Sequence, residues 1–508
     1  MKKWVLVSFL ACQFVACARR SLSPADTITT AISAPIQSLH PLYTTDADGQ
    51  HINELVHSSL IRHGADLLPK PYLAESFKII NDTTVELKLR EGCKFSNGRA
   101  LTLDDVEASV AFYSSPKLKS SVSQTFRHVN RFEKLPNLRF RLHTDKVTPS
   151  LLSDLALLKI LPAEAMKEEG ANVLPGIGPY KVTAFGPSEI RLEKAESGCL
   201  PSGNVDKIVV KVVRDDLSRY LKLVRGELDA VYNEMDYRKI LKIEKSPELG
   251  LRVAMLPGIG FNYIGLNITN PKLADIRVRR ALALALDIPS IIRYKSAGQT
   301  TQARNLLSDT NFYANLQIPK VDRNLKEAKR LLDEAGYFNG ENKKPKLNLT
   351  FKTTTNDIAI ENAKVIISQL EEAGISVENR AYEWGIFYSD VKKHNVEMYL
   401  LRWVGITEPG IYFDIFHSGE RSRNNRSGYS NPEMDKYLEV GQGTIDPFKR
   451  KLAFAKVQEL VARDLPLIGL WYPENSFVYR KEISDVNLET NGSWLSFLSM
   501  KKSAGENR

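Results

Sequence analysis

The order of predicted strands and helices after about residue 270 constrains the fold more than any other feature of this chain. A predicted strand at Lys346–Phe351, a helix at Ile358–Glu372 and a strand at Ile375–Val377 follow one another in βαβ order. Such a unit makes its two strands parallel, because only a long crossover can connect them. This part of the chain therefore predicts an α/β architecture.

Helical stripes elsewhere and strands in the first half complete this pattern. Helices are predicted from Asp275, over the stripe Leu325–Ala335 that Gly336 closes, and over Pro447–Arg463. The predicted strands are Val85–Leu89, Tyr180–Ala184, Glu189–Leu192 and Lys207–Val213. No segment of 20–50 residues repeats, which argues against a solenoid or a propeller.

The first residues have the pattern of an export signal. Met1–Lys3 carries two positive charges, and Trp4–Ala16 is almost wholly apolar but shorter than the ~20 residues of a membrane span. The run ends in small residues before Cys17, which resembles the lipobox of bacterial lipoproteins, where the cysteine is acylated. The alternative is a plain cleaved signal with an incidental cysteine. Both alternatives predict an exported protein.

The cysteines that remain in the mature chain do not form a disulfide framework. With Cys12 in the signal and Cys17 acylated, only Cys93 and Cys199 are left. We expect isolated, half-buried thiols; pairing in an oxidising compartment is the alternative.

Composition excludes several classes of protein. The 508 residues are 43% hydrophobic and 26% charged, the balance of a globular protein rather than a disordered, collagenous or multi-pass membrane chain. Lys and Arg number 70 against 60 Asp and Glu, a net charge of +10. Because no basic block interleaved with aromatic residues occurs, nucleic acid is a poor candidate partner.

Signatures of catalysis and metal binding are missing from the sequence. No nucleophile elbow, phosphate-binding loop or zincin motif occurs, and Gly258-Ile259-Gly260 is interpreted as a turn. We place His51, His57 and His63 on the surface rather than in a metal triad. Asp104-Asp105 is interpreted as the cap of a helix that Thr102 starts. These observations predict no catalytic residue and no metal site.

Seven segments in a fixed order carry a resemblance to a known family. They resemble the motifs LAESW, LRxGVKFxDG, LTAEDV, GTGPY, DxRVRxAL, AxxLLxEAGY and NPEFD of extracellular solute-binding proteins of family 5, the oligopeptide- and dipeptide-binding components of ABC importers. In chain order the segments are Leu73–Phe77, Leu89–Gly98, Leu101–Val106, Gly176–Tyr180, Asp275–Leu282, Ala328–Tyr337 and Asn431–Asp435.

The resemblance implies an α/β fold of the type II periplasmic-binding-protein kind, with two lobes, a hinge and an extra inserted domain. Domain I is split, domain II is inserted near the front, and domain III forms the second lobe. The expected boundaries are 1–16 for the signal, 17–58, 176–262 and 478–508 for domain I, 59–175 for domain II and 263–477 for domain III.

The implied function is the capture of oligopeptides between the lobes and their delivery to an ABC permease and its ATPase. The protein would act in the cell envelope as a monomer, held to the membrane by its lipid anchor only, without enzymatic activity or cofactor. Two alternatives stay open. One is another solute on the same fold, such as a metal chelate, haem, glutathione or a peptidoglycan fragment. The other is an exported hydrolase on an unrelated α/β scaffold.

The resemblance also implies a set of ligand-binding residues. Ser38 lies in a segment, Ile36–Pro41, that resembles VQSLDP, and Trp384 follows Glu383 as in EWxxF. Core packing is the alternative role for Trp384, Trp403 and Tyr232. The full set is Ser38, Tyr232, Asn233, Trp384, Arg402, Trp403, Gly405, Glu408 and Tyr472.

One position departs from the pattern of the peptide binders. Ile406 stands where those proteins have the aspartate that binds the ammonium of the ligand, and an apolar group cannot neutralise a desolvated charge. We therefore expect either that Glu408 or Asp414 takes this role, or that the ligand has no free amine at this place.

Overall fold

The structure is a computed structural model that describes residues 24–44, 46–115, 125–167, 172–296, 300–337, 346–403, 405–419 and 424–504. The predicted signal segment, Cys12 and Cys17 lie outside these residues. No helix within the described ranges has the length and apolar character needed to cross a membrane.

The strands are distributed over the whole described chain. Those before residue 200 are β1 (Thr27–Ile32), β2 (Ile61–His63), β3 (Pro69–Pro71), β4 (Ala74–Asn81), β5 (Thr84–Leu89), β6 (Val129–Leu135), β7 (Arg139–Thr144), β8 (Tyr180–Phe185) and β9 (Glu189–Lys194). Those after it are β10 (Lys207–Val212), β11 (Ala230–Tyr232), β12 (Leu251–Pro257), β13 (Phe261–Leu266), β14 (Thr301–Gln302), β15 (Asn348–Thr354), β16 (Ser376–Tyr382), β17 (Met398–Trp403), β18 (Leu467–Tyr472), β19 (Glu474–Arg480), β20 (Ile483–Ser484) and β21 (Lys501–Lys502).

The helices are concentrated after residue 210. The α-helices are α1 (Ala47–Val56), α2 (Leu103–Tyr113), α3 (Leu151–Asp154), α4 (Asp216–Arg225), α5 (Tyr237–Glu244), α6 (Pro271–Ala274), α7 (Ile276–Ala285), α8 (Ile288–Ser296), α9 (Leu325–Glu334), α10 (Asp357–Glu372), α11 (Trp384–Lys392), α12 (Ile411–Phe416), α13 (Pro432–Gln442) and α14 (Pro447–Asp464). Short 3₁₀ helices are Ala165–Lys167, Pro247–Leu249 and Trp494–Leu498.

Two sheets form the core of the front lobe. The first has the strand order β1-β10-β9-β8, with β1 and β10 parallel, and the second has the order β11-β19-β12. Buried side chains such as Ile28, Tyr180, Phe477 and Trp494 pack together between them. The C-terminal segment belongs to this lobe as well, because the Lys502 ammonium donates to the Thr27 carbonyl at 2.9 Å.

The inserted domain is a four-stranded antiparallel sheet, β4-β5-β7-β6, covered by α2. The prediction that Thr102 starts α2 is confirmed: its amide donates to the Asp105 carboxylate at 2.9 Å. Arg99 binds the same carboxylate at 2.6 Å, so the residue acts as a structural cap. Alternating apolar residues on β5 face this helix, as their period-2 pattern requires.

A disulfide between Cys93 and Cys199 connects the inserted domain to the front lobe. Their Cα atoms are 4.8 Å apart and the bond closes a separation of 106 residues. Our expectation of isolated thiols is therefore wrong. Sequence spacing gave no sign of the pairing, because the two loops meet only when β5 and β9 take their places in different sheets. The Lys94 amide, which donates to the Ser197 carbonyl at 2.9 Å, holds the loops together beside the bond.

The back lobe is built on a six-stranded sheet with the order β14-β18-β13-β17-β15-β16. The predicted βαβ unit is confirmed, since β15 and β16 pair in parallel and α10 connects them. Helices α7, α9 and α10 bury their apolar stripes on one face of the sheet. Helices α11 to α14 cover the other face, where Phe387, Tyr412, Phe416 and Phe454 form the core.

The chain crosses between the front and back lobes at two neighbouring places. β12 continues into β13 through Gly258–Gly260, and β18 continues into β19 through Pro473. The Gly258 amide donates to the Pro473 carbonyl at 3.0 Å, and a Cβ on Gly258 would lie only 2.6 Å from that oxygen. The expected domain boundaries at 262/263 and 477/478 fall inside β13 and β19, so the chain changes sheets a few residues earlier at both places.

Candidate functional site

Most of the candidates in the back lobe lie along one edge of its sheet. Strands β15, β16, β17 and β18 run in the same direction, and β13, antiparallel to β17 and β18, begins where they end. Their carboxyl ends therefore share the edge at which the chain crosses to the front lobe. In α/β sheets ligands bind at such an edge. Trp384, Arg402, Trp403, Gly405 and Tyr472 lie on it or within two residues of it.

Two of the tryptophans belong to a single stack of planar groups, which we call the aromatic column. The Trp384 ring, 55% exposed, stacks on Tyr388 with 5.0 Å between ring centres and an angle of 10°. The Arg426 guanidinium lies 5.1 Å from the centre of the Tyr388 ring and 4.3 Å from that of Trp403. The column runs Trp384–Tyr388–Arg426–Trp403 and presents the Trp384 ring to solvent.

Sequence reasoning missed the middle of this column. Tyr388 follows Trp384 by four residues on α11, a spacing that puts the two side chains on one helical face and was available as a signal. Arg426 lies in a turn after α12 and belongs to none of the seven motifs, so nothing in the sequence indicated it.

Arg402 is an unpaired cation beside the crossing. Its side chain is exposed, and no hydrogen bond or ion pair joins it to the described part of the chain. Its Nε lies 3.0 Å from the place that a Cβ on Gly260 would take, so the guanidinium lies against the crossing strand. Desolvation by the surrounding protein atoms lowers the pKa of Arg402.

In the segment after Trp403, the backbone at Gly405 faces open space, whereas the side chain of Ile406 is part of the core. Gly405 has a left-handed φ of 68°, and no atom lies within 4 Å of a Cβ built on it. Ile406 is 4% exposed and belongs to the core of the back lobe. No carboxylate therefore stands at the position where peptide binders carry their aspartate.

Glu408 already has a partner within the protein. Its Oε1 accepts from the Arg450 guanidinium, which is buried against Tyr313 and Phe454. This ion pair raises the pKa of Arg450 against the opposing effect of burial. Of the two replacements we considered for the missing aspartate, Glu408 is thus engaged in holding a buried cation.

Asp154 faces the same ion pair from the inserted domain. Burial and the negative charges of Glu408 and Asp414 raise the pKa of Asp154 to about 7, while Arg450 acts in the opposite direction. Leu68, in the turn between β2 and β3, also packs on the back-lobe core. Leu68 therefore brings this part of the chain into contact with the back lobe, and no sequence motif marked the contact.

Two aromatic candidates, Tyr232 and Tyr472, have side chains that are buried in cores. Tyr232 is 2% exposed and meets Phe477 edge-on at 5.5 Å in the front lobe. Tyr472 is buried as well, and its hydroxyl lies 2.8 Å from the carbonyls of Asn305 and Leu307. Both rings pack in cores, which for Tyr232 is the alternative role that we considered.

The front-lobe polar candidates shape the backbone around them. Ser38 is half-buried, and its hydroxyl accepts from the amide of His40 at 3.1 Å. Asn233 has a left-handed φ of 57°, and its side-chain oxygen accepts from the Ser476 amide at 2.7 Å. These contacts fix the turn after β1 and the end of β11. Strand β11 pairs with β19, and β19 begins at the crossing.

One of the three histidines that we expected on the surface, His57, lies elsewhere. His57 is completely buried and both its ring nitrogens lack a hydrogen-bond partner, and burial lowers its pKa to about 3. Burial likewise lowers the pKa of His63 to about 4, so both rings are neutral at physiological pH. The expectation of surface positions is wrong for His57. Within the described ranges, no group of three metal-ligating side chains converges.

Comparison with known proteins identifies the family. Residues 69–424 match the model of "Bacterial extracellular solute-binding proteins, family 5 Middle". The chain belongs to this family. Its members are solute-binding proteins that work with ABC permeases. Family 5 proteins similar in sequence include the oligopeptide-binding protein AppA of Bacillus subtilis, 26% identical over 461 residues, which cover 85% of this chain and 84% of AppA. The glutathione-binding protein GsiB of Escherichia coli K12 is 24% identical over 487 residues, 92% of each chain.

Solved structures of family 5 proteins share the fold. AppA of Bacillus subtilis in complex with a nonapeptide has a TM-score of 0.77 at 23% identity and covers 94% of this chain and 99% of its own. NikA of Brucella suis in complex with Fe(III)-EDTA has a TM-score of 0.85 at 20% identity, covering 94% and 100%. The expected type II periplasmic-binding-protein fold is confirmed.

Proposed function

We propose that this protein captures oligopeptides between its two lobes and delivers them to an ABC permease without changing any covalent bond. One observation carries the proposal: the sheet edge at the crossing leaves a guanidinium unpaired at Arg402, an open backbone at Gly405 and an exposed ring at Trp384. A ligand placed there supplies the contacts that the protein does not make with itself. The name of the relative AppA supports a peptide as this ligand.

The edge suits a ligand that is recognised by its main chain. Gly405 has no side chain and faces open space, so an extended peptide can approach the backbone as an added strand does. The exposed Trp384 ring covers apolar side chains, and Arg402 donates to oxygens of the solute. Ser38 and Asn233 belong to the opposing lobe in this proposal. Closure follows because the peptide has more partners with the lobes together than apart.

A free amine on the peptide is not required in this arrangement. Ile406 offers no charge, and Glu408 neutralises Arg450. We expect N-acetylation of a bound peptide to change its affinity less than about threefold, because the change removes no desolvated ion pair. Titration calorimetry with matched free and acetylated peptides measures this. A loss above tenfold on acetylation would show that Glu408 or Asp414 binds the ammonium after all.

The decisive experiment is to identify the solute that the protein carries. Mass spectrometry of small molecules released by denaturing freshly purified protein should detect peptides. Melting of solute-free protein against a peptide pool should show stabilisation by ~2.7 kcal/mol at 100 times the dissociation constant. Trp384→Ala should abolish most of this shift without lowering the melting temperature of the free protein, since its ring is exposed.

Other outcomes of the same experiment contradict the proposal in distinct ways. Stabilisation by glutathione or a nickel–histidine chelate, with none by peptides, would assign another solute to the same fold. Turnover of any added peptide would instead indicate a hydrolase.

We further propose that the protein is exported and anchored to a membrane of the cell envelope through an acylated Cys17. The charged start, the apolar run and the small residues before the cysteine support this. The intact mass of protein from the membrane fraction should correspond to a chain that begins at residue 17 with added acyl groups. Cys17→Ser should release the protein from the membrane. A mass without acyl groups would contradict the anchor and indicate a plain cleaved signal instead.

A further inference from the structure

A small cavity lies inside the back lobe, between Trp403 at the carboxyl end of β17 and Leu467 at the beginning of β18. Its volume is about 10 Å³, close to the smallest space that admits one water-sized group. Trp403 and Arg426 from the aromatic column form part of its wall, with Tyr263, Tyr399 and Phe416. The cavity is partly open, so the space is not sealed in the core.

Two hydrogen-bond donors in this wall have no acceptor. Trp403 Nε1 and Arg426 Nε are both buried, and neither has a partner in the described part of the chain. The other guanidinium nitrogens of Arg426 are used: they donate to the Tyr263 hydroxyl at 3.2 Å and to the Tyr388 hydroxyl at 3.0 Å. Leaving a buried donor unpaired costs about 1–3 kcal/mol, so two such donors on one cavity indicate a missing acceptor.

Arg426 also lacks a compensating negative charge. It is 9% exposed, and its hydrogen-bond acceptors are two phenol hydroxyls and the side-chain oxygen of Asn424 at 3.3 Å. No ion pair joins it to a carboxylate of the described residues. Buried charges in proteins are normally paired, because solvation lost on burial must be replaced. The nearby position that carries an aspartate in peptide binders holds Ile406, which adds no charge.

We propose that Trp403 and Arg426 form a subsite for an anionic oxygen, and that the group which fills it is a carboxylate of the transported solute. One oxygen accepts from Trp403 Nε1–H and Arg426 Nε–H, and the guanidinium neutralises its charge. A water molecule satisfies the donors but leaves the cation uncompensated. The assignment of this anion to the solute rests on the proposed function. It gives this end of the cleft a preference for negative charge, opposite to the ammonium preference of the resembled peptide binders.

The first experiment requires no knowledge of the solute. Crystals of the full protein are grown with and without sodium formate, the smallest carboxylate. We expect a formate oxygen at about 2.7–2.9 Å from both Trp403 Nε1 and Arg426 Nε. A water at this place in both crystals, or an empty cavity in both, would overturn the proposal.

The second experiment tests the solute. N-acetylated tripeptides are compared as free acids and as C-terminal amides, so that the carboxylate is their only terminal charge. Because hydrogen bonds to charged groups contribute about 1.5–3 kcal/mol, the acids should bind at least about tenfold more tightly than the amides. Equal binding of acids and amides would contradict the carboxylate assignment. If neither pool binds while formate occupies the cavity, the peptide proposal fails and the anion subsite stands.

Variants test whether the preference for carboxylates over amides comes from this cavity. Arg426→Gln should reduce the ratio of acid to amide affinity to about one. Because Arg426 also anchors two tyrosines, Trp403→Phe provides an independent test: it keeps an aromatic ring beside the Arg426 guanidinium but lacks the Nε1–H, and it should lower the ratio of acid to amide affinity. The matched control is Lys392→Gln. The Lys392 ammonium lies 5.0 Å from the centre of the same Tyr388 ring but is exposed and outside the cavity, so this variant should keep the ratio.

Discussion

Glu408 and Arg450 illustrate how a single side chain can have a structural role where a ligand contact was expected. The Arg450 side chain is 3% exposed and the Glu408 side chain 18%, so the pair is anchored from the inside of the back lobe. The Arg450 guanidinium also donates to the carbonyl of Gly441 at 3.1 Å. Removing the carboxylate therefore leaves a cation that cannot reach water.

We expect Glu408→Gln to destabilise the protein by about 3 kcal/mol, because breaking a buried pair leaves an uncompensated charge. Denaturant unfolding of the solute-free protein measures the loss. The matched control is Glu459→Gln, which breaks the exposed pair with Lys456 and should change stability by less than about 1 kcal/mol. Equal stability of Glu408→Gln and the wild type would show that Arg450 has another counter-charge.

At single residues, the sequence predicted the neighbourhood of the site better than the direction of its side chains. The resemblance assigned Arg402 and Trp403 to the second lobe, and the structure has both at the carboxyl end of β17 next to the crossing. Tyr232 and Tyr472 lie on equally suitable strands, but strand alternation points their rings into the cores. Successive side chains of a strand point to opposite faces of the sheet, so a shift of one residue decides whether a ring faces the ligand or the core. The local sequence does not tell which face of the strand is covered.

The disulfide between Cys93 and Cys199 connects the inserted sheet to the front lobe. Chain-entropy arguments give a stabilisation of about 4.7 kcal/mol for a closed loop of this order, because the cross-link restricts the unfolded chain. We expect the double variant Cys93→Ser/Cys199→Ser to unfold at a markedly lower denaturant concentration. The wild type in reducing agent should then unfold together with the variant. Unchanged unfolding on reduction would contradict a structural role for the bond.

The first residue of the motif Gly176–Tyr180 must be glycine because the chain passes very close to the end of α1 there. A Cβ on Gly176 would lie 1.9 Å from the carbonyl oxygen of Val56, which is backbone and cannot turn away. We expect Gly176→Ala to lower the free energy of unfolding by about 2 kcal/mol, as overpacking does. Gly186→Ala is the control, since its Cβ would meet only the Glu189 carbonyl at 3.6 Å. Similar melting temperatures for the two variants would refute the close contact.

Elements were predictable where the pattern is local. The stripes behind α7, α9, α10 and α14 and the alternation in β5, β8 and β9 placed these elements within a few residues of their observed bounds. The order of strands in the sheets was not predictable beyond the βαβ unit. β19 pairs with β11 and β12, which lie more than 200 residues earlier, and β13 lies between β17 and β18. Such pairings depend on surfaces that form only when distant segments pack.

For the whole molecule, the buried carboxyl group of Asp154 predicts a dependence on pH. Burial first, and then the negative charges of Glu408 and Asp414 in the back lobe, raise the pKa of Asp154 from 3.8 to about 7, so the proton binds more tightly in the folded protein. Stability contributed by this group is therefore full below about pH 4 and is lost as pH rises toward 7. Above that, both states are ionised and the loss is constant. The charged groups that face it are Glu408, Asp414 and Arg450.

We expect the melting temperature of Asp154→Asn, relative to that of the wild type, to rise between pH 5 and pH 7 and then to level off. The comparison with the variant is needed because burial also raises the pKa of Glu474 to about 7 and that of Asp48 to about 6. These two groups remain in both proteins and cancel in the difference. A difference that is flat with pH would show that Asp154 does not titrate in this range.

The position of β19 in the middle of its sheet determines which of the two lobes can complete its fold first. All strands of the six-stranded sheet come from the single stretch between Phe261 and Tyr472, so this lobe is available as one continuous piece of nascent polypeptide. β11 and β12 are each paired with β19 rather than with each other, so the sheet is complete only when residues Glu474–Arg480 arrive between them. The lobe whose chain is synthesised first is thus the one whose assembly ends last.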